Sequence, residues 1–240
     1  MKFKEVYDIA VPLNKRKEER YNTWVAWVVR PLSVLFTLPF IKRNVKPTTI
    51  TAWSVVSVIL GFFILVLAHS LPMRILGWFC FFVWAILDGV DGNLARCKNI
   101  CSDLGDLWDT MGGYTSMVLL YYSAGILAFK DNNIFFADNL PAYIYIILGG
   151  FTAVFSIFPR LILHKKKSSC NKTKAVEEYT DTTNFSFVKK FVGSITSPSG
   201  IMQVFYLISI CFHLLNIFMI IYMIINFLIM IISLRDLLSE

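Results

Sequence analysis

Apolar runs of about 18 residues or more recur along this 240-residue chain, with short polar stretches rich in Lys and Arg between them. As a helix, a run of that length reaches across the roughly 30 Å hydrocarbon core of a bilayer. Hydrophobic residues make up 56% of the chain and charged residues only 16%, so an ordinary soluble domain is excluded. The reading is an all-α integral membrane protein forming a single membrane domain over 1–240. Residues 1–49 are expected to form a cytoplasmic N-terminus with an interfacial helix, and 50–235 a core of six transmembrane helices.

Residues 1–22 are polar and basic, with Lys15, Arg16, Lys17 and Arg20 clustered. No cleaved signal peptide is expected there. From Tyr21 to Phe40 the pattern is aromatic and amphipathic, with Trp24, Trp27, Phe36 and Phe40, and is interrupted by Pro31 and Pro39. Trp beside basic residues suits the lipid interface, and Arg30 in mid-stretch disfavours a span. Lys42, Arg43 and Lys46 form a basic hinge before Pro47, and Thr48, Thr49 and Thr51 are placed to cap the helix that follows. Spans are predicted at about 50–68, 73–88, from 102 or 104 to 129, and 141–163. The apolar stretch 199–234 is too long for one span at roughly 1.5 Å per residue. A tight turn at 213–216 would divide it into the fifth and sixth.

Charge bias sets the orientation. With the N-terminus in the cytoplasm, the polar stretches 1–49, 89–104, 164–198 and 235–240 face the cytoplasm and hold nearly all the Lys and Arg. The positive-inside rule therefore puts both termini on that side. The run Lys165–Lys167 reads as an orientation determinant touching anionic lipid. The net charge of +7 is explained by this topology, so nucleic acid is not an expected partner. The five Cys are odd in number and scattered, which argues against a disulfide framework and leaves reduced thiols. Cys97 and Cys101 lack a second pair, so zinc is not expected.

The chemistry concentrates between Asp88 and Gly113, in D-G-V-D-G-N-L-A-R-C-K-N-I-C-S-D-L-G-D-L-W-D-T-M-G-G. Asp88, Asp91 and Asp109 sit at the ends of apolar runs, where ionisable groups are costly and mark function. Asp88 and Asp91 share a helix face at a spacing of three. Gly89 and Gly92 leave that face bare to a ligand. Carboxylates clustered without Cys or His are hard oxygen ligands, suited to Mg²⁺ or Mn²⁺ held together with a substrate phosphate.

Read from Asp88, the spacing is D-x2-D-G-x2-A-R-x8-G-x3-D. This resembles the signature of the CDP-alcohol phosphotransferase (CDP-alcohol phosphatidyltransferase) family, matched by Asp88, Asp91, Gly92, Ala95, Arg96, Gly105 and Asp109. The resemblance implies six helices and a metal-dependent transferase. A CDP-linked donor would give its phospho-alcohol group, in some members a phosphatidyl group, to an alcohol, phosphate or lipid acceptor, and CMP would leave. It implies Asp88, Asp91 and Asp109 as metal ligands, and the charge bias puts these near the cytoplasmic face. Gly92, Ala95 and Gly105 would give the nucleotide room, and Arg96 would anchor its phosphates or lock the helix pair. It also suggests a homodimer among membrane lipids. Arg160, near the exit of the fourth span, is a candidate for an acceptor phosphate or lipid headgroup, or a snorkelling anchor.

The family signature ends in a fourth Asp, thought to be the general base, where this chain has Gly113. Four explanations stand. Asp106, which shares a helix face with Asp109 and position 113, takes the role beside Asp109, with Asp103 a weaker candidate. The acceptor arrives already ionised. The chain binds a nucleotide or lipid without turning it over. Or the site has been inactivated. The reading adopted is an active transferase with an unusual acceptor, the alternative being a catalytically impaired nucleotide- or lipid-binding membrane protein of the same fold. A transporter would show internal repeats and midplane charges on several helices.

Overall fold

The computed structural model describes residues 3–12, 16, 22–100, 102–131, 141–169 and 193–238. Of 103, 163, 165–169 and 236–238 it describes the backbone. The polar stretches expected at 130–139 and 164–198 fall largely outside the described residues, as do Cys101, Cys170, Lys15, Lys17, Arg20, Lys189 and Lys190.

Helix α1 spans Phe3–Ala10. A π-helical segment, Val25–Val29, runs straight into α2, Arg30–Lys42. Then come α3, Pro47–Leu67; α4, Leu71–Lys98; α5, Asp103–Lys130; α6, Ile144–Ser169; α7, Met202–Cys211; and α8, Leu215–Leu238. The described residues contain no strand. In hydrocarbon each peptide group has to be satisfied within its own segment, which a helix does and an open strand does not. Pro31 sits in the first turn of α2, where a missing N–H costs little, and the helix continues through Pro39. The prolines therefore do not interrupt it.

By length and composition, five helical segments among the described residues are able to cross a membrane: Val25–Lys42, Pro47–Leu67, Leu71–Lys98, Ile144–Ile162 and Leu215–Arg235. The chain is an all-α, multi-pass membrane protein. Six spans with an N-terminal interfacial helix suit this architecture, with three differences in detail. Helix α5, expected as the third span, is long enough at 28 residues but is not among the five segments apolar enough to cross. The segment read as interfacial, Val25–Lys42, is itself long and apolar enough to cross. Its Arg30, which argued against crossing, is buried and donates from Nη1 to Asn93 Oδ1 at 3.4 Å. The stretch expected as the fifth span contains α7, whose 10 residues rise about 15 Å, half a bilayer core. The turn expected at 213–216 is present just before α8. His213 adopts φ 57°, and Leu214 N–H closes on Ser209 O at 2.9 Å, a left-handed helix stop.

The chain divides into two compact units, Met1–Ser116 with Phe191–Val204, and Met117–Lys190 with Phe205–Glu240. In the first, α3 and α4 pack backbone to backbone. A Cβ added at Gly61 would lie 2.9 Å from Gly77 O, and one at Gly77 would lie 2.5 Å from Leu65 Cγ. Ile50 of α3 and Ile86, Val90 and Leu94 of α4 form the adjoining core. Trp78 Nε1 donates to Gln203 O at 2.9 Å, and Gln203 Nε2 returns a bond to Phe81 O at 3.2 Å. In the second unit, a Cβ at Gly125 would meet Tyr145 O at 2.5 Å, and one at Gly149 would meet Tyr121 O at 2.8 Å. Asn226 Nδ2 donates to Tyr121 Oη at 3.0 Å, and the hydroxyls of Ser123 and Tyr206 bond at 2.9 Å. Small residues at crossings and buried polar bonds between helices are how spans associate in lipid.

Gly77→Val would force α3 and α4 apart. The variant should be destabilised by about 1–3 kcal/mol, seen as a lower midpoint of thermal unfolding in detergent.

Candidate active site

Three helix ends meet in the first unit. The last turns of α4 carry Asp88, Asp91, Gly92, Ala95 and Arg96. The first turns of α5 carry Gly105, Asp106 and Asp109, and the start of α3 brings Thr48 and Thr51 behind Lys46. A polar connection was expected from residue 89 to 104. Instead α4 runs on through the motif to Lys98, and the interval before α5 is only residues 99–102. Asn99 ends α4 in the left-handed region (φ 52°), with Ile100 N–H closing on Ala95 O at 3.0 Å. Asn is among the few non-glycine residues that tolerate this conformation. Ser102 then caps α5, its Oγ accepting from Gly105 N–H at 3.1 Å. A Cβ at Gly105 would sit 2.9 Å from that oxygen, so the glycine serves the cap.

Between these ends lies a pocket of about 470 Å³. Asp91, Asp106 and Asp109 line it, with the small residues Gly92, Ala95 and Gly105 and, opposite, Lys46, Thr48 and Thr51. Six of the residues singled out from sequence are thus brought together. Asp91 is 4% exposed, and its Oδ2 accepts from Thr51 Oγ1 at 2.6 Å. Asp109 is close enough to Asp91 to act on it electrostatically, and Arg96 acts on it with the opposite sign.

Other motif residues lie elsewhere. Asp88 is half-buried one turn before Asp91 and is not among the residues lining the pocket. Arg96 is not in the lining either. Its Nε donates to Ala10 O at 2.7 Å and its Nη2 to Asn93 Oδ1 at 3.0 Å. The guanidinium lies beside Gly92, 3.3 Å from where a Cβ would stand. Arg160 belongs to the second unit, where its Nη1 donates to Met117 Sδ at 3.0 Å. A Cβ at Gly113 meets nothing within 4 Å, whereas one at Gly112 would meet Val55 Cγ2 at 3.3 Å.

Sequence reasoning missed Lys46 as a pocket residue and misread Thr51. The threonines after Pro47 were expected to cap α3, but no side chain caps it, and the Thr51 hydroxyl reaches α4. Nothing local in the sequence marks a contact forty residues away.

The pocket's donors are carboxylate oxygens, which suit a hard divalent cation. Among the described residues no three His, Cys, Asp or Glu side chains are grouped closely enough to hold an ion by themselves. An ion held there would take the rest of its coordination from water and substrate oxygens, as hard divalent cations commonly do.

The family model described as CDP-alcohol phosphatidyltransferase matches residues 44–235. No curated protein and no solved structure matches the chain.

Because the space at Gly113 is open, Gly113→Asp should fold like the natural chain. A stability change within about 0.5 kcal/mol, typical of substitutions that meet no packed neighbour, is expected by thermal unfolding in detergent.

Proposed function

The chain belongs to the CDP-alcohol phosphatidyltransferase family, and from that premise we propose that it is an active transferase. It moves the phospho-alcohol group of a CDP-linked donor to an acceptor and releases CMP. The observation that carries this reading is the single pocket faced by Asp91, Asp106 and Asp109 and floored by Gly92, Ala95 and Gly105. Small residues let a flat nucleotide approach the helix backbone, and the carboxylates gather where its phosphates would lie.

Asp91 and Asp109, with Asp88 from the same motif, are the residues that would hold a divalent cation. When bound, the ion neutralises charge developing on the leaving phosphate. The protein's own part is to hold donor and acceptor in line and to take up a proton. The acceptor oxygen forms a bond to the donor phosphorus as the bond from phosphorus to the CMP oxygen breaks. The electron pair of that bond leaves with CMP. Asp106, which lines the pocket, takes the hydroxyl proton, the task of the family's missing fourth carboxylate. Lys46, on the opposite wall, offers a positive charge to a phosphate. The excess of Lys and Arg near these helix ends supports a cytoplasmic site, where nucleotide is available.

CMP release by the purified protein, with Mg²⁺ or Mn²⁺ and a panel of CDP-diacylglycerol, CDP-amino-alcohol and CDP-polyol donors, tests the reading. At least one donor–acceptor pair should give CMP with Gly113 in place. Donor binding without CMP from any pair would make the chain a nucleotide- or lipid-binding protein instead. Asp106→Asn should lower kcat by about 10²–10⁴-fold, the range for loss of a general base, with the donor KM little changed. Asp91→Ala should abolish metal-dependent donor binding, measured by calorimetric titration; unchanged binding would show the metal site to be elsewhere.

A further inference from the structure

Thr51 lies where the three helices around the pocket touch. It belongs to α3, the motif carboxylate it bonds belongs to α4, and its methyl points toward α5. The hydroxyl has one hydrogen and two acceptors in reach, Asp91 Oδ2 at 2.6 Å and Pro47 O at 3.2 Å. The nearer and more basic acceptor takes it, and hydrogen bonds to a carboxylate are among the strongest a hydroxyl makes. Thr51 is 5% exposed and Asp91 4%, so the bond is largely shielded although both residues line the pocket. On the other side, a Cβ at Gly112 would come within 4.0 Å of Thr51 Cγ2 and 3.3 Å of Val55 Cγ2. The absence of a side chain at Gly112 therefore lets α5 close onto α3. Gly112 is three residues, about one turn, beyond Asp109.

We infer that Thr51 is a positioning residue for cation binding. Its hydroxyl fixes the orientation of the Asp91 carboxylate, and with Val55 it faces the bare backbone of Gly112, the gap that sets how closely α5 and Asp109 approach α3. The inference rests on the reading of the pocket as a cation–nucleotide site. It assigns a role to a residue of α3, outside the D-x2-D signature. Partners that orient a metal ligand from behind typically carry a 10–100-fold effect on metal affinity.

The test is Mn²⁺ binding in the presence of CDP, read by electron paramagnetic resonance on detergent-solubilised full-length protein. Thr51→Val keeps the shape and removes the hydroxyl. It should weaken Mn²⁺ binding by about tenfold or more, while Thr51→Ser, which restores the hydroxyl, should stay within about twofold of the natural chain. Thermal unfolding of the same samples separates this from general damage, since a purely structural role would lower the midpoint without moving Mn²⁺ affinity. Gly112→Ala leaves every polar group in place but crowds Val55 Cγ2 at 3.3 Å, so that α3 and α5 have to give by a few tenths of an ångström beside Thr51. It should weaken Mn²⁺ binding in the same direction, and it carries the test if Thr51→Val does not fold. Natural-strength binding by a folded Thr51→Val, or by Gly112→Ala in its place, overturns the inference alone. If the natural chain itself binds no Mn²⁺ with CDP, the reading of the pocket falls and the inference falls with it.

Discussion

Helices in lipid gain nothing by exchanging an acyl chain for a leucine, so something else has to hold them together. In this chain it is close approach and buried polar bonding. The pair Gly61 and Gly77 brings α3 onto α4, and Gly125 and Gly149 do the same for α5 and α6 in the second unit. Exposed apolar side chains such as Phe63 and Leu67 on α3 are left facing outward, where hydrocarbon is their natural solvent. The site depends on this packing. The approach of α3 to α4 that the glycines allow also brings Thr51 within reach of Asp91.

Around Asn93 the buried polar bonds are complete. Asn93 is fully buried, and its Oδ1 accepts from both Arg30 and Arg96. Its Nδ2 donates to Ser33 Oγ and Thr37 Oγ1, each at 3.2 Å. Those two hydroxyls bond onward to carbonyls of α2, Arg30 O and Ser33 O. A network of this kind fixes one arrangement of helices, because any slip leaves a donor or acceptor unpaired in a low-dielectric interior. It lies behind the pocket wall, next to Gly92. The rigidity of the motif helix is therefore set partly by residues that no ligand would touch.

Much of this was legible in the sequence because it is local. Apolar run lengths pointed to the long helices, a turn near His213 followed from an apolar stretch too long for one span, and the spacing from Asp88 to Asp109 singled out Asp91, Gly92, Ala95, Gly105 and Asp109, which line one pocket. What was hidden depends on distant pairs. Arg30 reads as a reason against burial until Asn93, sixty-three positions on, is seen to accept from it. Thr51 reads as a cap because short polar residues after a proline usually are, and only the fold supplies Asp91 as the stronger partner. The stretch 89–104 reads as a polar connection between spans, yet its first part, through Lys98, is helical. That part stays helical because Asn99 provides the stop and Arg96 is bonded within the protein.

That last bond sets where the protein can be cut. The family match begins at residue 44, and trimming an expression fragment to that boundary would look natural. It would remove Ala10, whose carbonyl holds Arg96, and Arg30, Ser33 and Thr37, which surround Asn93. It would also strip away Val6, Ala10, Val11 and Val34, the buried cluster against which Cys97 packs. A fragment starting at 44 would carry the signature but leave Arg96 without the Ala10 carbonyl and Asn93 without Arg30, Ser33 and Thr37. The residues that support the signature therefore begin in α1, well before residue 44, where the family match starts.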